Sequence, residues 1–258
     1  MQVIILCGGK GTRLREETEY RPKPMLPIGP RPILWHIMKY YAHHGHTDFV
    51  LCLGYKGQMI KDYFLNYRFT ASDITVRLGE KGKITFHDAS QEENWSVTLA
   101  DTGEDTMTGG RLQRVKKYVT DDLFLMTYGD GVGNVNLAAL LKFHKAHGKI
   151  ATLTGVRPPG RFGELNTNGD RITEFNEKPQ TTAGVINGGF FVFSRKFFDY
   201  LNDDPGLILE QSPLQRAAAD GQLMCFRHEG FWQPMDTFRE FDLLNNLWNA
   251  GKAPWKVW

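Results

Sequence analysis

Short apolar runs alternate with amphipathic segments along most of the chain, a pattern that indicates strands alternating with helices. Val3–Leu6 and residues 49–53 are continuous apolar runs of strand length. Between them, residues 32–44 place apolar side chains at helical spacing, and residues 57–66 predict a second helix. This β-α-β-α start predicts a parallel sheet whose neighbouring strands are joined by right-handed crossovers.

The same alternation continues to the end, so the chain is predicted to fold as one α/β domain over residues 1–258. Residues 68–108 depart from this pattern. Apolar and polar residues alternate there in three short segments, 74–78, 84–87 and 97–99, which predict an antiparallel excursion and a subunit contact. The remaining predicted helices are 111–118, 137–147, 197–201, 214–220 and 237–250, and the remaining predicted strands are 123–128, 150–156, 162–165, 172–175, 188–193 and 223–226.

A glycine-rich loop directly follows the first strand and carries the strongest chemical signal. It runs from Leu6 through Gly8, Gly9, Gly11 and Thr12 to Arg13. Glycines permit positive φ and close approach to a phosphate, and successive backbone N–H groups can form an anion nest. Lys23 follows between Pro22 and Pro24, which predict an extended, stiff segment that aims the ammonium. Together these features predict a site for a polyphosphate.

Two commoner phosphate motifs do not fit this loop. A Walker loop needs four residues between its first glycine and a Gly-Lys-Ser/Thr, and no such run exists here. The dinucleotide fingerprint, counted from Gly9 and Gly11, places Leu14 where its third glycine belongs. About twenty residues on, that fingerprint expects an acid for the ribose, and Ile33 and Leu34 stand there instead.

Charge and composition limit the kinds of ligand and the cellular compartment that are expected for this chain. The 258 residues include 31 Lys and Arg and 29 Asp and Glu, which gives a formal net charge of +2. Such a small net charge does not indicate binding to nucleic acid or to an anionic membrane. The three cysteines form no Cys-x-x-Cys and are expected to be reduced core residues. With no apolar run long enough to span a membrane, we expect a cytoplasmic protein.

Two acidic residues follow apolar stretches and are the candidate metal ligands. Asp130 comes directly after the strand 123–128, and Asp236 precedes the helix 237–250. Taken alone, Asp130 is equally well explained as an N-cap or a turn former, and Asp236 as the N-cap of the helix that follows it, a role compatible with a place in the site. As a pair opposite the glycine loop, they suit Mg²⁺, which takes one or two carboxylates together with substrate phosphates and waters.

Lysine, histidine and proline contribute less specific signals. In Glu177-Lys178-Pro179 the proline restricts the lysine to an extended shape, although an isolated Glu-Lys-Pro is more often an exposed charge pair at a turn. The histidines at 43–46, 144 and 147 lack the partner residues of a zinc site, and we expect them to be surface or packing residues.

Taken together, the motifs resemble those of the sugar-1-phosphate nucleotidylyltransferases, in the right order over nearly the whole chain. The motifs are Gly8-Gly9-x-Gly11-Thr12-Arg13-Leu14, Pro22-Lys23-Pro24-Met25, Gly129-Asp130, Glu177-Lys178-Pro179 and Trp232-x-x-x-Asp236. The resemblance implies a Rossmann-like three-layer sandwich with a mixed, mostly parallel central sheet, in which residues 195–258 contribute to the sugar and metal sites. Finer motifs, such as Tyr128-Gly129-Asp130-Gly131, are similar to members that make CDP-glucose and pyrophosphate from CTP and glucose 1-phosphate.

The resemblance also implies roles for individual residues. The implied nucleotide-binding residues are Leu6, Gly8, Gly9, Gly11, Thr12, Arg13, Lys23, Gly110 and Arg111. The implied catalytic residues are Arg13, Lys23 and Asp130, and Asp130 and Asp236 are implied to hold Mg²⁺. The implied sugar-phosphate residues are Gly163, Glu177, Lys178, Asn187 and Trp232. A homo-oligomer such as a hexamer, and a pathway to deoxysugars or surface polysaccharides, follow from the resemblance alone.

Arg111 is the residue that bears on which nucleotide base is bound. It follows Gly109 and Gly110, whose missing side chains would let a base lie against the backbone. Arginine only donates hydrogen bonds, and cytosine offers acceptors at O2 and N3, whereas uracil and thymine carry an N–H at position 3. The alternative is that Arg111 begins a helix or contacts phosphate.

Three other functions stay open at this level. A catalytically silent sugar-nucleotide sensor predicts the loss of a metal acid or a cation, yet Arg13, Lys23, Asp130, Lys178 and Asp236 are all present. A dinucleotide-dependent oxidoreductase is weakened by the failed fingerprint. The same chemistry with UTP or dTTP, or with a different hexose 1-phosphate, is the alternative within the enzyme class.

Overall fold

The computed structural model describes residues 1–79, 82–87, 93–158, 164–168, 171–176 and 184–258. Its strands are β1 (Val3–Leu6), β2 (Pro27–Ile28), β3 (Arg31–Pro32), β4 (Asp48–Leu53), β5 (Ile74–Arg77), β6 (Lys83–Phe86), β7 (Ser96–Asp101), β8 (Leu123–Tyr128), β9 (Gly131–Gly133), β10 (Ala151–Val156), β11 (Glu164–Asn168), β12 (Arg171–Asn176), β13 (Ile186–Asn187), β14 (Phe191–Ser194), β15 (Leu223–His228) and β16 (Trp232–Pro234).

The helices connect these strands at nearly the predicted places. They are α1 (Arg15–Thr18), α2 (Ile33–His43), α3 (Gly57–Leu65), α4 (Tyr67–Ala71), α5 (Thr108–Arg114), α6 (Leu137–His147), α7 (Ser212–Ala219) and α8 (Phe238–Asn249). Short 3₁₀ turns cover Thr12–Leu14, Lys23–Met25, Lys116–Tyr118 and Arg195–Tyr200.

A mixed central sheet of eight described strands forms the middle layer. Its order is β13-β10-β14-β8-β1-β4-β7, and β15 also pairs with β10. The pairs β8–β1, β1–β4, β4–β7 and β10–β15 are parallel, whereas β14 runs antiparallel to both β8 and β10. The predicted mixed, mostly parallel sheet is therefore confirmed. Because β1, β4, β7 and β8 are parallel, their carboxyl ends meet at one edge of the sheet.

Helices cover both faces of this sheet, which gives the three predicted layers. Val3 and Ile5 of β1 pack into one buried cluster with residues of α2 and α8. Ile4 and Leu6 point to the other face, into a second cluster with residues of α5 and α7. Strand β1 is buried along its whole length, so each large apolar side chain there contributes about 1.5–3 kcal/mol.

Two predicted elements differ from the structure in ways that bear on the site. Residues 97–99 do not belong to an antiparallel excursion: they lie in β7, which pairs in parallel with β4 from Asp48↔Ser96 to Leu53↔Asp101. The predicted strand 188–193 is interrupted, because Gly189 and Phe190 adopt positive φ (74° and 49°) between β13 and β14. The first change brings residues 102–106 to the edge where β1 ends, and the second shapes the backbone beside Asn187.

The hairpin β5–β6 stands apart from the central sheet. Its register places Ile74 opposite Phe86 and Val76 opposite Ile84, on the same face. Ile74, Val76 and Ile84 are 38–44% exposed. The hairpin therefore presents an apolar face that packing within the described part of the chain leaves largely open.

Histidine and cysteine packing agrees with the sequence analysis except at one cysteine. His144 and His147 both hydrogen-bond the Thr152 hydroxyl at 2.8 Å, so they pack α6 onto β10. Cys7 and Cys52 are buried free thiols, but Cys225 is exposed, contrary to the prediction of a core residue. Among the helices that the structure describes, none is both long and apolar enough to cross a membrane.

Candidate active site

A cleft of about 300 Å³ opens at the carboxyl ends of β1 and β8. Eight of the residues predicted for the nucleotide and the metal line it, namely Leu6, Gly8, Gly9, Gly11, Thr12, Lys23, Arg111 and Asp130. The cleft is also lined by Thr106, Met107, Thr108 and Tyr128. The structure thus brings together residues that are up to 124 positions apart in the chain, from Leu6 to Asp130.

The glycine loop leaves β1 in a conformation that Gly11 makes possible. Gly11 has φ +63°, and a Cβ there would lie 2.8 Å from the Thr18 Cγ2 methyl. The Leu14 N–H donates to the Gly11 carbonyl, and the Thr18 hydroxyl donates to the same carbonyl at 3.0 Å. The loop is therefore tied to the following turn. Arg13 lies in that turn, and its side chain is outside what the structure describes.

Arg111 is a buried guanidinium that joins three strand ends. Its Nη1 donates to the Leu53 carbonyl (3.0 Å), the Thr102 hydroxyl (2.8 Å) and the Gly103 carbonyl (2.7 Å). Its Nη2 donates to the carbonyls of Gly8 and Glu104, both at 3.0 Å. These acceptors follow β1, end β4 or follow β7, so one side chain fixes the floor of the cleft. Burial lowers the pKa of the guanidinium, but an arginine side chain keeps its charge in proteins.

The space for Arg111 is provided by two glycines. A Cβ on Gly8 would lie 2.1 Å from Nη1 of Arg111, and a Cβ on Gly54 would lie 2.3 Å from the same atom. Both terminal nitrogens already donate to protein oxygens. They are therefore not placed to donate to the acceptors of cytosine, contrary to the expectation from the sequence. Arg111 as a nucleotide-site residue stays a prediction, and the geometry supports a contribution through the Gly8 carbonyl.

Gly109 and Gly110 also face protein. A Cβ on Gly109 would lie 3.0 Å from the Leu207 carbonyl, and one on Gly110 would lie 3.0 Å from the Asp204 carbonyl. Their N–H groups donate to the Leu207 carbonyl at 2.9 and 3.1 Å. The premise that these glycines let a base lie against the backbone is therefore wrong, because segment 204–207 occupies that space. Gly110 as a direct nucleotide contact stays a prediction.

Lys23 is held by a turn instead of by the extended segment that was predicted. Pro22 is extended, but Lys23 begins the 3₁₀ turn Lys23–Met25. The Met25 N–H donates to the Pro22 carbonyl (2.8 Å) and the Leu26 N–H to the Lys23 carbonyl (3.0 Å). These two bonds and the burial of Lys23 and Pro24 outweigh the steric preference that a following proline imposes. The segment is held rigidly, as predicted, but by a turn and not by an extended conformation.

The Lys23 ammonium lies between Asp130 and Asp236. Its Nζ is 2.8 Å from Oδ2 of Asp130 and also donates to Oδ1 of Asp236. The side chains of Lys23 and Asp236 are 9% and 15% exposed and that of Asp130 is 36% exposed, so the pair with Asp236 is better shielded from water than the pair with Asp130. Burial by itself lowers the pKa of Lys23, but the charge of Asp130 and the hydrogen bonds to both carboxylates raise it overall. The lysine is therefore held charged in the cleft.

A short antiparallel ladder places the two carboxylates beside each other. Strand β9 pairs with β16, with Gly131 opposite Pro234, and the Met235 N–H donates to the Asp130 carbonyl at 2.8 Å. The N-cap alternative for Asp236 is wrong, because Thr237 caps α8 in a capping box with Glu240. The carboxylate of Asp236 is thereby left for the cleft.

The donor set of this cluster fits a hard divalent cation. Two carboxylates converge on one ammonium, which stands where such a cation would be bound. In the described ranges no group of three His, Cys, Asp or Glu side chains is placed to hold a metal ion. A site with only two protein carboxylates needs phosphate and water oxygens to complete it, which is how Mg²⁺ is usually bound and unlike a structural zinc site.

The expected sugar side of the cleft is partly described. Asn187 Nδ2 donates to the Tyr128 hydroxyl (3.1 Å), and Asn187 Oδ1 accepts from the Gly189 N–H (2.9 Å). The Trp232 indole N–H donates to the Gly188 carbonyl at 2.7 Å. Asn187 is therefore joined to Tyr128 of the cleft wall, and Trp232 is joined to the backbone next to Asn187. Gly163, Glu177 and Lys178 lie outside the described residues.

Sequence reasoning assigned no role to Thr108, Tyr128 or Glu210. Tyr128 directly precedes Gly129-Asp130, and its place at the end of a buried strand was a signal that could have been used. Burial raises the pKa of its hydroxyl, as does the neighbouring Glu210 carboxylate. Thr108 begins α5, and Glu210 lies 82 positions after Tyr128, so no local pattern links them.

Comparisons with known proteins point to one enzyme family. The family model described as "Nucleotidyl transferase" matches residues 2–241. The glucose-1-phosphate cytidylyltransferase of Salmonella typhimurium is 52% identical over the full length of both chains. A Bacillus subtilis protein named "Probable glucose-1-phosphate cytidylyltransferase" is 45% identical, again over both full lengths. The solved structure of a UDP-glucose pyrophosphorylase with UDP-glucose has a similar fold, with a TM-score of 0.67 at 13% identity over 97% of this chain and 98% of that one.

Replacing Arg111 with lysine tests its role in the cleft floor. Lysine keeps the charge but cannot span the five acceptors, so the Gly8 carbonyl loses a partner. We expect Arg111→Lys to lower kcat/KM for nucleoside triphosphates by roughly 10²-fold, with the preference among bases changed less than about threefold. Steady-state kinetics with four nucleoside triphosphates measures both quantities.

Arg114→Lys is the matched control for this variant. Arg114 donates to the Thr102 carbonyl (2.6 Å) and the Thr106 hydroxyl (2.9 Å), so it holds the same segment from the same helix without reaching Gly8. We expect near-normal kinetics for it. A selective loss of base discrimination in Arg111→Lys would show that Arg111 contacts the base directly.

Proposed function

We propose that this chain, which belongs to the nucleotidyl transferase family, makes CDP-glucose and pyrophosphate from CTP and glucose 1-phosphate. The observation that carries the proposal is the Lys23 ammonium between Asp130 and Asp236, beside a glycine loop at the carboxyl edge of the sheet. The choice of CTP and glucose 1-phosphate is supported by the two relatives that carry this activity in their names. A cytoplasmic location is part of the same proposal.

The reaction is an attack of the sugar phosphate on the α-phosphate of the nucleotide. The attacking oxygen is already an anion at neutral pH, so no side chain has to remove a proton. The barrier comes from bringing two anions together in line, and the protein lowers it by alignment and charge neutralisation. Lys23 supplies a fixed positive charge, and Arg13, which follows the glycine loop, is proposed to stabilise the departing pyrophosphate.

The remaining roles complete the two binding sites. The nucleotide phosphates are proposed to lie on Gly8, Gly9, Gly11 and Thr12, against the loop that Arg111 holds in place. Lys178 is proposed to bind the phosphate of the sugar, and the sugar ring to contact Gly163, Glu177, Asn187 and Trp232. Asp130 and Asp236 would hold Mg²⁺, which when bound neutralises phosphate charge at the reacting centre.

A substrate panel tests the proposed function. With Mg²⁺ and glucose 1-phosphate, we expect CTP to release pyrophosphate at least about tenfold faster than UTP, dTTP or GTP. A base that does not match the hydrogen-bonding groups of its site costs on the order of 1.4 kcal/mol or more in binding free energy, which is a tenfold effect. A clear preference for UTP or dTTP would overturn the base assignment, and a preference for another hexose 1-phosphate would overturn the sugar.

Asp130→Asn gives the companion test of the metal site. Because the carboxylate is lost but its size is kept, we expect turnover to fall by roughly 10²–10³-fold while the protein stays folded by circular dichroism. Near-normal turnover would remove Asp130 from the metal site.

Removing the Lys23 charge should change metal binding as well as turnover. In the structure the ammonium occupies the two carboxylates that would hold the metal, so the metal-competent state has to displace it. We expect Lys23→Met to bind Mn²⁺ roughly tenfold more tightly than the unmodified protein without nucleotide, because the competing cation is gone. Electron paramagnetic resonance of free Mn²⁺ measures this without any catalysis.

Two further variants make the Mn²⁺ experiment specific. Lys10→Met removes a lysine of the glycine loop whose Nζ contacts Asp105 Oδ1 at 2.7 Å, and it should leave Mn²⁺ binding unchanged. The double variant Lys23→Met/Asp236→Asn should lose the gain. Equal Mn²⁺ affinity in Lys23→Met and the unmodified protein would contradict this competition.

We also propose that the chain forms a homo-oligomer through the apolar face of the β5–β6 hairpin. Ile74, Val76 and Ile84 are exposed on that face, and such patches often mark protein contacts. Val76→Glu, at its centre, should reduce the molar mass measured by light scattering, because it buries a charge in the contact. A monomeric unmodified protein, or an unchanged mass in Val76→Glu, would contradict the proposal.

A further inference from the structure

The Glu210 carboxylate bridges the two walls of the cleft. Its Oε1 accepts a 2.5 Å hydrogen bond from the Tyr128 hydroxyl, and its Oε2 accepts a 2.7 Å bond from the Thr108 hydroxyl. Thr108 and Tyr128 both line the cleft, at the start of α5 and the end of β8. Glu210 itself lies in the loop before α7 and contributes a single charged link between them.

The direction of the hydrogen bonds in this network is fixed by chemistry. An ionised carboxylate only accepts, so the Tyr128 hydroxyl must donate its one hydrogen to Glu210. The lone pairs of that hydroxyl then accept from Asn187 Nδ2 at 3.1 Å. The Gly189 N–H donates to Asn187 Oδ1, so the amide is held in one orientation with one N–H left for a ligand oxygen.

The two walls depend on Glu210 to different degrees. The Thr108 hydroxyl also accepts from the Leu209 N–H at 2.9 Å. The start of α5 is further held by the Pro205 carbonyl, which accepts from the Met107 N–H at 2.8 Å. Within the described contacts, the Tyr128 hydroxyl has only Asn187 as its other partner. Loss of Glu210 therefore loosens the Tyr128–Asn187 wall more than the Thr108 wall.

We propose that Glu210 is a positioning residue for the sugar phosphate, acting through Tyr128 on Asn187. This inference rests on the proposed function, in which Asn187 lines the sugar pocket. Glu210 does not touch the reacting atoms, so its effect is on how well the sugar phosphate is bound and oriented. The same link transmits the position of the Thr108 wall to the sugar wall.

Substitution of Glu210 should separate the two substrates kinetically. We expect Glu210→Ala to raise KM for glucose 1-phosphate roughly tenfold, with kcat and KM for CTP changed less than about threefold. Glu210→Gln keeps the size of the side chain but offers one accepting oxygen, so it should fall between the unmodified protein and Glu210→Ala. Tyr128→Phe added to Glu210→Ala should cause little further loss, because both act on the same contact.

Asp203→Asn is the matched control. Asp203 is an exposed acid on the same segment, and it accepts from Nε2 of Gln113, a residue of α5, at 3.0 Å. It should leave both KM values unchanged, and thermal melting should show all variants folded. Equal effects of Asp203→Asn and Glu210→Ala, equal KM increases for both substrates, or full additivity with Tyr128→Phe would each overturn the inference.

The outcome for Glu210 is separable from the outcome for the proposed function. The unmodified protein is first assayed for its preferred sugar phosphate, and the KM comparison is then made with that compound. A different preferred sugar would overturn the proposed substrate and leave the Glu210 comparison intact. A normal activity with CTP and glucose 1-phosphate, combined with no change in KM on loss of Glu210, would overturn the inference alone.

Discussion

The ion pairs of Lys23 with Asp130 and Asp236 are the interaction on which the cleft depends. Two carboxylates this close repel each other unless a cation lies between them. The ammonium meets that need, and the β9–β16 ladder supplies the backbone that keeps Asp130 and Asp236 adjacent. Because Thr237 caps α8, the Asp236 carboxylate does not have to cap the helix and pairs with Lys23. The local structures of three separate segments are thus coordinated by one shielded charge cluster.

Burial makes this cluster functional as well as structural. Charges in a largely enclosed site interact more strongly than charges in water, so a lysine held there is a strong partner for phosphate. In the proposed function, the same lysine competes with the metal ion for the two carboxylates. A charged substrate that attracts Lys23 would draw the ammonium away from the two carboxylates, which could then bind a metal. Substrate binding would thereby convert the arrangement of the protein alone into the arrangement required for reaction.

Around this centre, the cleft is built by tying strand ends and loops together. Arg111 fixes the ends of β1, β4 and β7, in the space that Gly8 and Gly54 leave by lacking Cβ atoms. Glu210 in turn connects the start of α5, at Thr108, to the end of β8, at Tyr128. Both links run between segments far apart in sequence, so alignment of the two substrates is a property of the folded domain and of no single motif.

The sequence by itself determined the alternation of strands and helices, most of their positions, and the glycine loop and acids at strand ends, because apolar periodicity and glycine or proline positions are local properties. The mixed three-layer sandwich and most of the individual site residues followed from the resemblance to a known family. Only the tertiary structure decided that residues 97–99 join the parallel sheet, that Lys23 begins a turn, and that Gly109 and Gly110 face segment 204–207. It also decided that the Arg111 donors are used by backbone carbonyls. These outcomes depend on which distant segments pack together, and no pattern within a short stretch of sequence records that.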